Sequence, residues 1–334
     1  MGRVAYILFL IFVSIQLSAQ DMHFSHFYAA PLNLNPANTG NFDGTWRIGG
    51  NYKNQWQSFT VPYRTFSGYG DFKLLRSSRS KSQIAVGGYM INDEAGDGNL
   101  TTRKIFGNVA LHRAFGYYNE FSLSAGIGVG YIQKSLDFSK LIFDSQWTPK
   151  GFNALLPTNE LPGAQSLNYI DIQAGAIGNY NISDESSIYI GVTYAHAIEP
   201  AETFLNSGNK LGSRPVIHGG AYFPLTNLLN AEPAFIYMNQ KKASELIAGS
   251  NFGFDLQKQN YTAAIFGLWF RGSGDAVPVV GMDYRTLRVL LSYDINFSSL
   301  KTTSRSMGGI EISVQYIGFI EKKPYSRIVP CIRF

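Results

Sequence analysis

Between residues 44 and 319 the chain returns repeatedly to one pattern, an apolar side chain at every second position. Phe121, Leu123, Ala125, Ile127, Val129 and Tyr131 alternate with Ser122, Ser124, Gly126, Gly128 and Gly130. Ile188, Ile190, Val192 and Tyr194 follow the same rhythm. Val289, Leu291, Tyr293, Ile295 and Phe297 alternate with Arg288, Leu290, Ser292, Asp294 and Asn296, and Ile310, Ile312, Val314 and Tyr316 with Glu311, Ser313 and Gln315. Successive side chains on a strand point to opposite faces, so this spacing predicts two-faced β-strands. Beyond the first residues no apolar run approaches the roughly 20 residues of a spanning helix. Two architectures satisfy the alternation. A soluble sandwich buries its apolar face against a second sheet, whereas a membrane barrel turns that face to lipid and keeps the polar face inside.

Composition and the two ends favour the barrel. Charged residues make up 15% of the 334, against about 25% in ordinary globular chains. There are 24 Phe, 20 Tyr and 34 Gly, which suits aromatic girdles and strands that crowd at glycine. Arg3 precedes an apolar core, Val4 to Leu17, and Ser18-Ala19 offers small residues for cleavage. This is the layout of a secretory signal, with the mature chain expected from Gln20. The rival, an uncleaved anchor, has a core shorter than a spanning helix needs. The chain ends on Phe334. The expectation is an all-β, transmembrane antiparallel β-barrel in the bacterial outer membrane. It divides into a signal peptide (1–19), an N-terminal segment (20–43) and the barrel (44–334).

The pattern gives about 14 strands, an even number as in bacterial single-chain barrels. The expected spans are 44–54, 63–75, 82–92, 101–115, 120–134, 166–181, 187–197, 214–225, 230–239, 244–256, 261–271, 277–285, 288–297 and 307–319. Connections after even strands are short, and those at 137–165 and 198–213 are long. Barrels of this kind keep short turns in the periplasm and longer loops outside, which places the N-terminus in the periplasm. The short connections 239–243 and 272–276 break this regularity. Trp46 and Trp269 read as interface anchors.

Two segments fall outside the wall. Residues 20–43 contain Pro31 and Pro36, which oppose a central strand, and lack helical periodicity. They are too aromatic for a typical disordered tail. An extended plug or latch against the barrel buries these aromatics; a loose leader is the alternative. In the tail, Pro324 and Pro330 interrupt the last segment, so it either resumes the wall or folds back.

Little in the sequence points to chemistry. Cys331 is the one cysteine, which excludes an internal disulfide and a Cys-based zinc site. His23, His26, His112, His196 and His218 form no metal-binding spacing, and there is no nucleophile elbow or P-loop. No catalytic residue, cofactor or metal is expected. The net charge of +5 is spread thinly, so no nucleic-acid partner is expected either. Asp171, Glu311, Arg288, Asp294 and Asp255 are expected inside, where they pair across the lumen, line a pore or simply make it polar. Glycines on one face of 126–130 mark crowding, bending or close approach of a plug.

Three stretches resemble the PorP/SprF family of type IX secretion and gliding-motility membrane proteins. The first holds Gln20-Asp21, Phe24-Ser25, Pro31-Leu32, Asn35-Pro36-Ala37 and Gly40, with Met22 where the family has Pro. The second is Tyr293-Asp294-Ile-Asn296 with Gly308-Gly309-Ile-Glu311-Ile-Ser313, and the third is Pro330-Cys331-Ile-Arg333-Phe334. The resemblance implies a non-enzymatic barrel that secretes or anchors a large, adhesin-like surface protein by receiving its C-terminal domain. It also implies periplasmic secretion partners, including a peptidoglycan-binding lipoprotein, beside the membrane lipids. Phe24, Pro31, Leu32, Asn35, Pro36 and Gly40 are the motif residues expected in the plug. The loop 137–165 is long enough to dock a partner, with Trp147, Phe152, Leu155 and Leu156 as candidate anchors or as residues packing the loop onto the barrel. The alternatives are a pore for small solutes and a lipid-acting barrel enzyme. The second lacks a recognisable nucleophile–base pair.

Overall fold

The computed structural model describes residues 22–55, 62–77, 81–117, 119–153, 155–158, 165–204, 208–257, 262–272, 274–297 and 307–320. The expected leader with its cleavage point, Trp56 and the tail 321–334 lie outside them.

Among the described residues, fourteen antiparallel strands close into one barrel. They are β1 (Trp46–Gln55), β2 (Tyr63–Ser77), β3 (Ser82–Ala95), β4 (Leu100–Phe115), β5 (Phe121–Ser135), β6 (Ser166–Ser183) and β7 (Ser186–Ala195). Then follow β8 (Arg214–Pro224), β9 (Leu229–Gln240), β10 (Ala243–Gln257), β11 (Thr262–Arg271), β12 (Asp275–Tyr284), β13 (Leu287–Asn296) and β14 (Met307–Gly318). Each strand pairs with its sequence neighbours, and β1 pairs with β14 from Trp46↔Gly318 to Gln55↔Gly309. The closed ladder leaves no unpaired edge, which is what a strand structure needs in a medium that cannot hydrogen-bond.

Every expected strand has its counterpart, with ends shifted by no more than a few residues. The long connection after β5 also carries a small hairpin, Trp147–Thr148 against Gly151–Phe152, which alternation over two residues cannot signal. The two-residue turns Asp184-Glu185 and Arg285-Thr286 lie at one end of the barrel and the long connections at the other, where, as the sequence indicated, Lys241-Lys242 is also a short turn.

The faces separate as the alternation requires. On β5, Ile127 is 60% exposed while Ser124 on the opposite row is 1% exposed. Ile105, Ile190, Phe266 and Phe270 stand out from the wall in the same way, and Asn51, Asp71, Asn108, Gln173 and Glu311 are buried inside. A continuous outward apolar band is stable only where lipid covers it. In water each such side chain forfeits about 25 cal/mol per Å² of apolar area.

Ile127→Lys puts a charge in the middle of the outward row of β5. It is expected to destabilise the barrel in lipid vesicles by about 2–4 kcal/mol in denaturant titration. Leu155→Lys, in the loop, is expected to leave stability within about 0.5 kcal/mol. Equal losses would mean that the outward row is not the lipid face.

Candidate functional site: the lumen and the segment inside it

Residues 22–44 run through the lumen from the long-loop end to the short-turn end and there turn into β1. They are not extended throughout, as expected, but form three short turns. These are a 3₁₀ turn at Phe27–Ala29, an α turn at Pro31–Leu34 and a second 3₁₀ turn at Pro36–Asn38. Pro31 and Pro36 each stand at the first position of a turn, where a missing N–H removes nothing and φ is already set. Single turns are too short to carry a helical period, which is why the sequence hid them. Asn35 caps the last turn by accepting the Ala37 N–H at 2.9 Å.

At the long-loop end the backbone is held by buried charge. Glu311 is fully buried; its two oxygens accept the N–H groups of Ser25 and His26, each at 2.9 Å. The Ser25 hydroxyl donates to Asp294 at 2.9 Å and accepts from Lys53 at 3.0 Å and Arg271 at 2.6 Å. Lys53 and Arg271 also reach Asp294 directly at 3.3 and 3.5 Å. Arg271 continues to Glu245 at 3.0 Å, and Glu245 to His23 at 2.9 Å. His26 points elsewhere, to the Ser313 hydroxyl at 3.1 Å, so the two histidines do not converge. Among the described residues no group of His, Cys, Asp and Glu is arranged to hold a metal ion.

The middle is held by two apolar clusters. Phe27 packs with Val216, Ile236, Met238, Ile247, Trp269, Val279 and Leu290. Leu32 packs with Tyr69, Tyr89, Ile91, Phe106 and Ile132, and its carbonyl accepts from Asn108 at 3.2 Å. Trp269 is therefore not an interface anchor. It is 1% exposed, stacks on Tyr28 at 5.0 Å, meets Phe27 edge-on at 5.4 Å and donates to Asn251 at 2.9 Å. The alternation of β11 already separates it from the outward Phe266, Leu268 and Phe270. Trp46 does face outward, beside Tyr316 at 5.4 Å.

From the middle of the lumen to the short-turn end the wall is shaped to the segment. Asn35 donates to the Val192 carbonyl at 3.0 Å, and Thr193 donates to the Leu34 carbonyl at 3.0 Å. A Cβ on Gly126 would stand 2.5 Å from the Pro36 carbonyl carbon, and one on Gly175 would overlap the Asn35 amide. Gly40 has φ +77°, a Cβ there would overlap Ala85, and its N–H reaches Asp71 at 2.7 Å. Arg47 joins Asp71 at 2.8 Å and the Asn38 carbonyl at 3.0 Å. The motif residues Phe24, Leu32 and Asn35 are at most 1% exposed, and Pro31, Pro36 and Gly40 are buried with them. The glycine row of β5 meets this segment only at Gly126. Gly128 faces Asn108 and Gln173, and Gly130 faces the Phe106 ring.

The expected lumen charges are inside and mostly paired. Asp171 meets His196 at 2.6 Å; Arg288 meets Asp283 at 2.8 Å and Glu232 at 3.1 Å; Asp255 is half-buried. Lys53, Arg47, Asp71 and Arg271, which the sequence reading passed over, do as much as any of these.

The second group of candidate residues lies apart, on the loop after β5. Trp147 and Phe152 face each other across the hairpin at 5.9 Å and are 59% and 43% exposed. Leu155 is 94% exposed, and Leu156 is half-buried. The loop holds its own shape: Gln146, 6% exposed, donates to the Leu156 carbonyl, and Ser145 donates to Thr158. At its start the Ser139 hydroxyl donates to Asp137 at 2.6 Å and holds that carboxyl below the usual range.

Removing Glu311 leaves the Ser25 and His26 N–H groups without their buried acceptor, while Lys53 keeps Asp294, a loss of about 3–5 kcal/mol for a buried charge of this kind. With Cys331→Ser as background, Ser25→Cys is expected to resist maleimide labelling. Adding Glu311→Ala is expected to speed labelling at least tenfold. Equal rates would show that the carboxylate does not seat the segment.

The fold has solved counterparts. The Ralstonia pickettii toluene transporter TbuX aligns with TM-score 0.50 at 10% identity, over 87% of this chain and 94% of its own. The Pseudomonas putida toluene transporter TodX gives 0.51 at 10% identity over 86% and 92%, and the CymD monoaromatic hydrocarbon channel 0.51 at 10% over 88% and 93%. At such identity the likeness is one of barrel architecture alone. Comparison with curated proteins gives no match. The profile of the type IX secretion system membrane protein PorP/SprF, by contrast, matches residues 16–316. A closed outer-membrane barrel matched over nine-tenths of its length in this way belongs to the PorP/SprF family of type IX secretion membrane proteins.

Proposed function

We propose that this protein is a non-enzymatic outer-membrane component of the type IX secretion and gliding machinery. In this reading it receives the C-terminal domain of a cognate, adhesin-like surface protein and helps to secrete or anchor it. Family membership supports the setting. The observation that carries the receiving role is the loop after β5. It is folded by its own hydrogen bonds, yet it leaves Trp147, Phe152 and Leu155 exposed. Exposed aromatics on an ordered support make efficient anchors, because little entropy remains to be lost on binding.

The short-turn end faces the periplasm in this orientation and the loop faces outward. Residues 20–43, with the motif residues Phe24, Pro31, Leu32, Asn35, Pro36 and Gly40, act as a plug or latch. Periplasmic secretion components, among them a peptidoglycan-binding lipoprotein, meet the short-turn end.

A second reading, a pore for small solutes, is favoured by one feature. The segment leaves open a cavity of about 860 Å³ at the long-loop end and one of about 420 Å³ at the other.

Affinity purification of the tagged protein from native outer membranes is expected to recover a large surface protein held through its C-terminal domain. Deleting 145–160 is expected to abolish that capture while the barrel keeps its heat-modifiable mobility in electrophoresis. Unchanged capture would remove the loop from the argument. Recovery of the barrel alone after crosslinking, together with solute flux that rises on deleting residues 20–41, would establish the pore instead.

A further inference from the structure

The 420 Å³ cavity at the short-turn end falls within the range of small-molecule sites, about 300–1,000 Å³. It lies between the N-terminal segment and the β7–β14 side of the wall. Its ceiling is the stacked pair Tyr28 and Trp269, and Phe42, Tyr189 and Tyr222 stand around its sides. Aromatic rings thus line it on several sides.

The polar groups in this lining are of two kinds. Of the charged ones, Arg288, Glu232 and Arg47 are spent within the protein, and Asp43 is exposed to solvent. Arg288 forks onto Asp283 and Glu232, and Arg47 binds Asp71 and the Asn38 carbonyl. Among the neutral ones Ser313 is taken by Asn51 and His26, but several others keep polar atoms to spare. Asn251 uses its amide oxygen for Trp269 and Tyr28, and Gln315 uses its own for Tyr69. Their NH₂ groups, and the hydroxyls of Ser187, Tyr189 and Tyr222, hydrogen-bond to no protein group among the described residues.

These features narrow the occupant. An anion finds no spare cation here. A hydrocarbon satisfies the rings but strips water from five polar groups without replacing it, which buried polar groups do not tolerate. What matches both sets is a neutral ring with apolar C–H faces and hydroxyls around its edge. The faces stack on aromatic rings; the hydroxyls both accept from amide NH₂ groups and donate to phenolic oxygens. We propose that this cavity is a saccharide site, sized for one or two pyranose rings. The ligand is either a free sugar or the end of a glycan chain reaching the short-turn end.

The test is calorimetric titration of the full-length protein in a detergent that carries no sugar. The probes are glucose, maltotriose, N-acetylglucosamine and its β-1,4 oligomers, with toluene as the hydrocarbon control. Saturable binding of at least one saccharide is expected. It should weaken at least tenfold in Tyr222→Ala, which removes a ring at the mouth, and in Ala234→Phe, which fills the cavity. Binding of monosaccharides assigns a free sugar; binding of oligomers alone assigns a glycan chain. Gln315→Ala, which removes an edge amide together with the acceptor of the Tyr69 hydroxyl, gives the same comparison where a bulkier change lowers the yield of heat-modifiable barrel. No saccharide binding, binding untouched by the variants, or binding of toluene alone overturns the proposal.

Discussion

One buried carboxylate organises the lumen. Glu311 has no contact with solvent, and its acceptors are filled by the backbone of residues more than 280 positions away in sequence. A charge in that position is tolerable only when its partners are complete. The wall supplies Lys53 beside it, and the N-terminal segment supplies two N–H groups and the Ser25 hydroxyl, which also ties Asp294 and Arg271 together. The segment is therefore part of what makes a polar lumen stable, rather than a tail resting in it.

The rest of the interior follows from accommodating that strand of chain. Glycines stand where the wall and the segment come closest, at Gly126 and Gly175, and Gly40 takes a positive φ where the chain leaves the lumen. Phe27 and Leu32 each fill an apolar cluster on opposite sides of the barrel. The half of the lumen near β4–β6 is packed against the Pro36–Asn38 turn, while the half near β7–β14 keeps the aromatic cavity. Mixed polar and apolar surface inside a barrel is thus apportioned to two uses, one satisfied by the chain itself and one left for something else.

Much of this was legible in the sequence. Alternation located all fourteen strands because a period of two is local and unmistakable over ten residues, and loop lengths distinguished the two ends. What alternation reported for Trp269 was overridden by a general preference of Trp for membrane interfaces, and the local pattern was the better guide. The three turns of the N-terminal segment escaped because a single turn has no period, although Pro31 and Pro36 marked their first residues. The charge network was only half visible. Glu311 and Asp294 announced themselves as inward charges, but their partners Ser25, Lys53 and Arg271 come from distant parts of the chain, and no spacing rule connects them. The loop hairpin was too short to signal itself, though its exposed aromatics stood out by type.

The anchor at Glu311 also ties the N-terminal segment to closure of the barrel. Ser25 and His26 are among the first residues of the described chain, and the carboxylate that holds them lies on the last strand, which itself closes the barrel by pairing with the first. The seat is therefore incomplete until the final strand is in register. A partly assembled wall has no place to hold residues 25 and 26, and a mispaired last strand presents Glu311 to the wrong face. Seating of residues 25 and 26 therefore depends on the last strand being in register. A contact across 286 positions of sequence is in this way conditional on closure of the barrel.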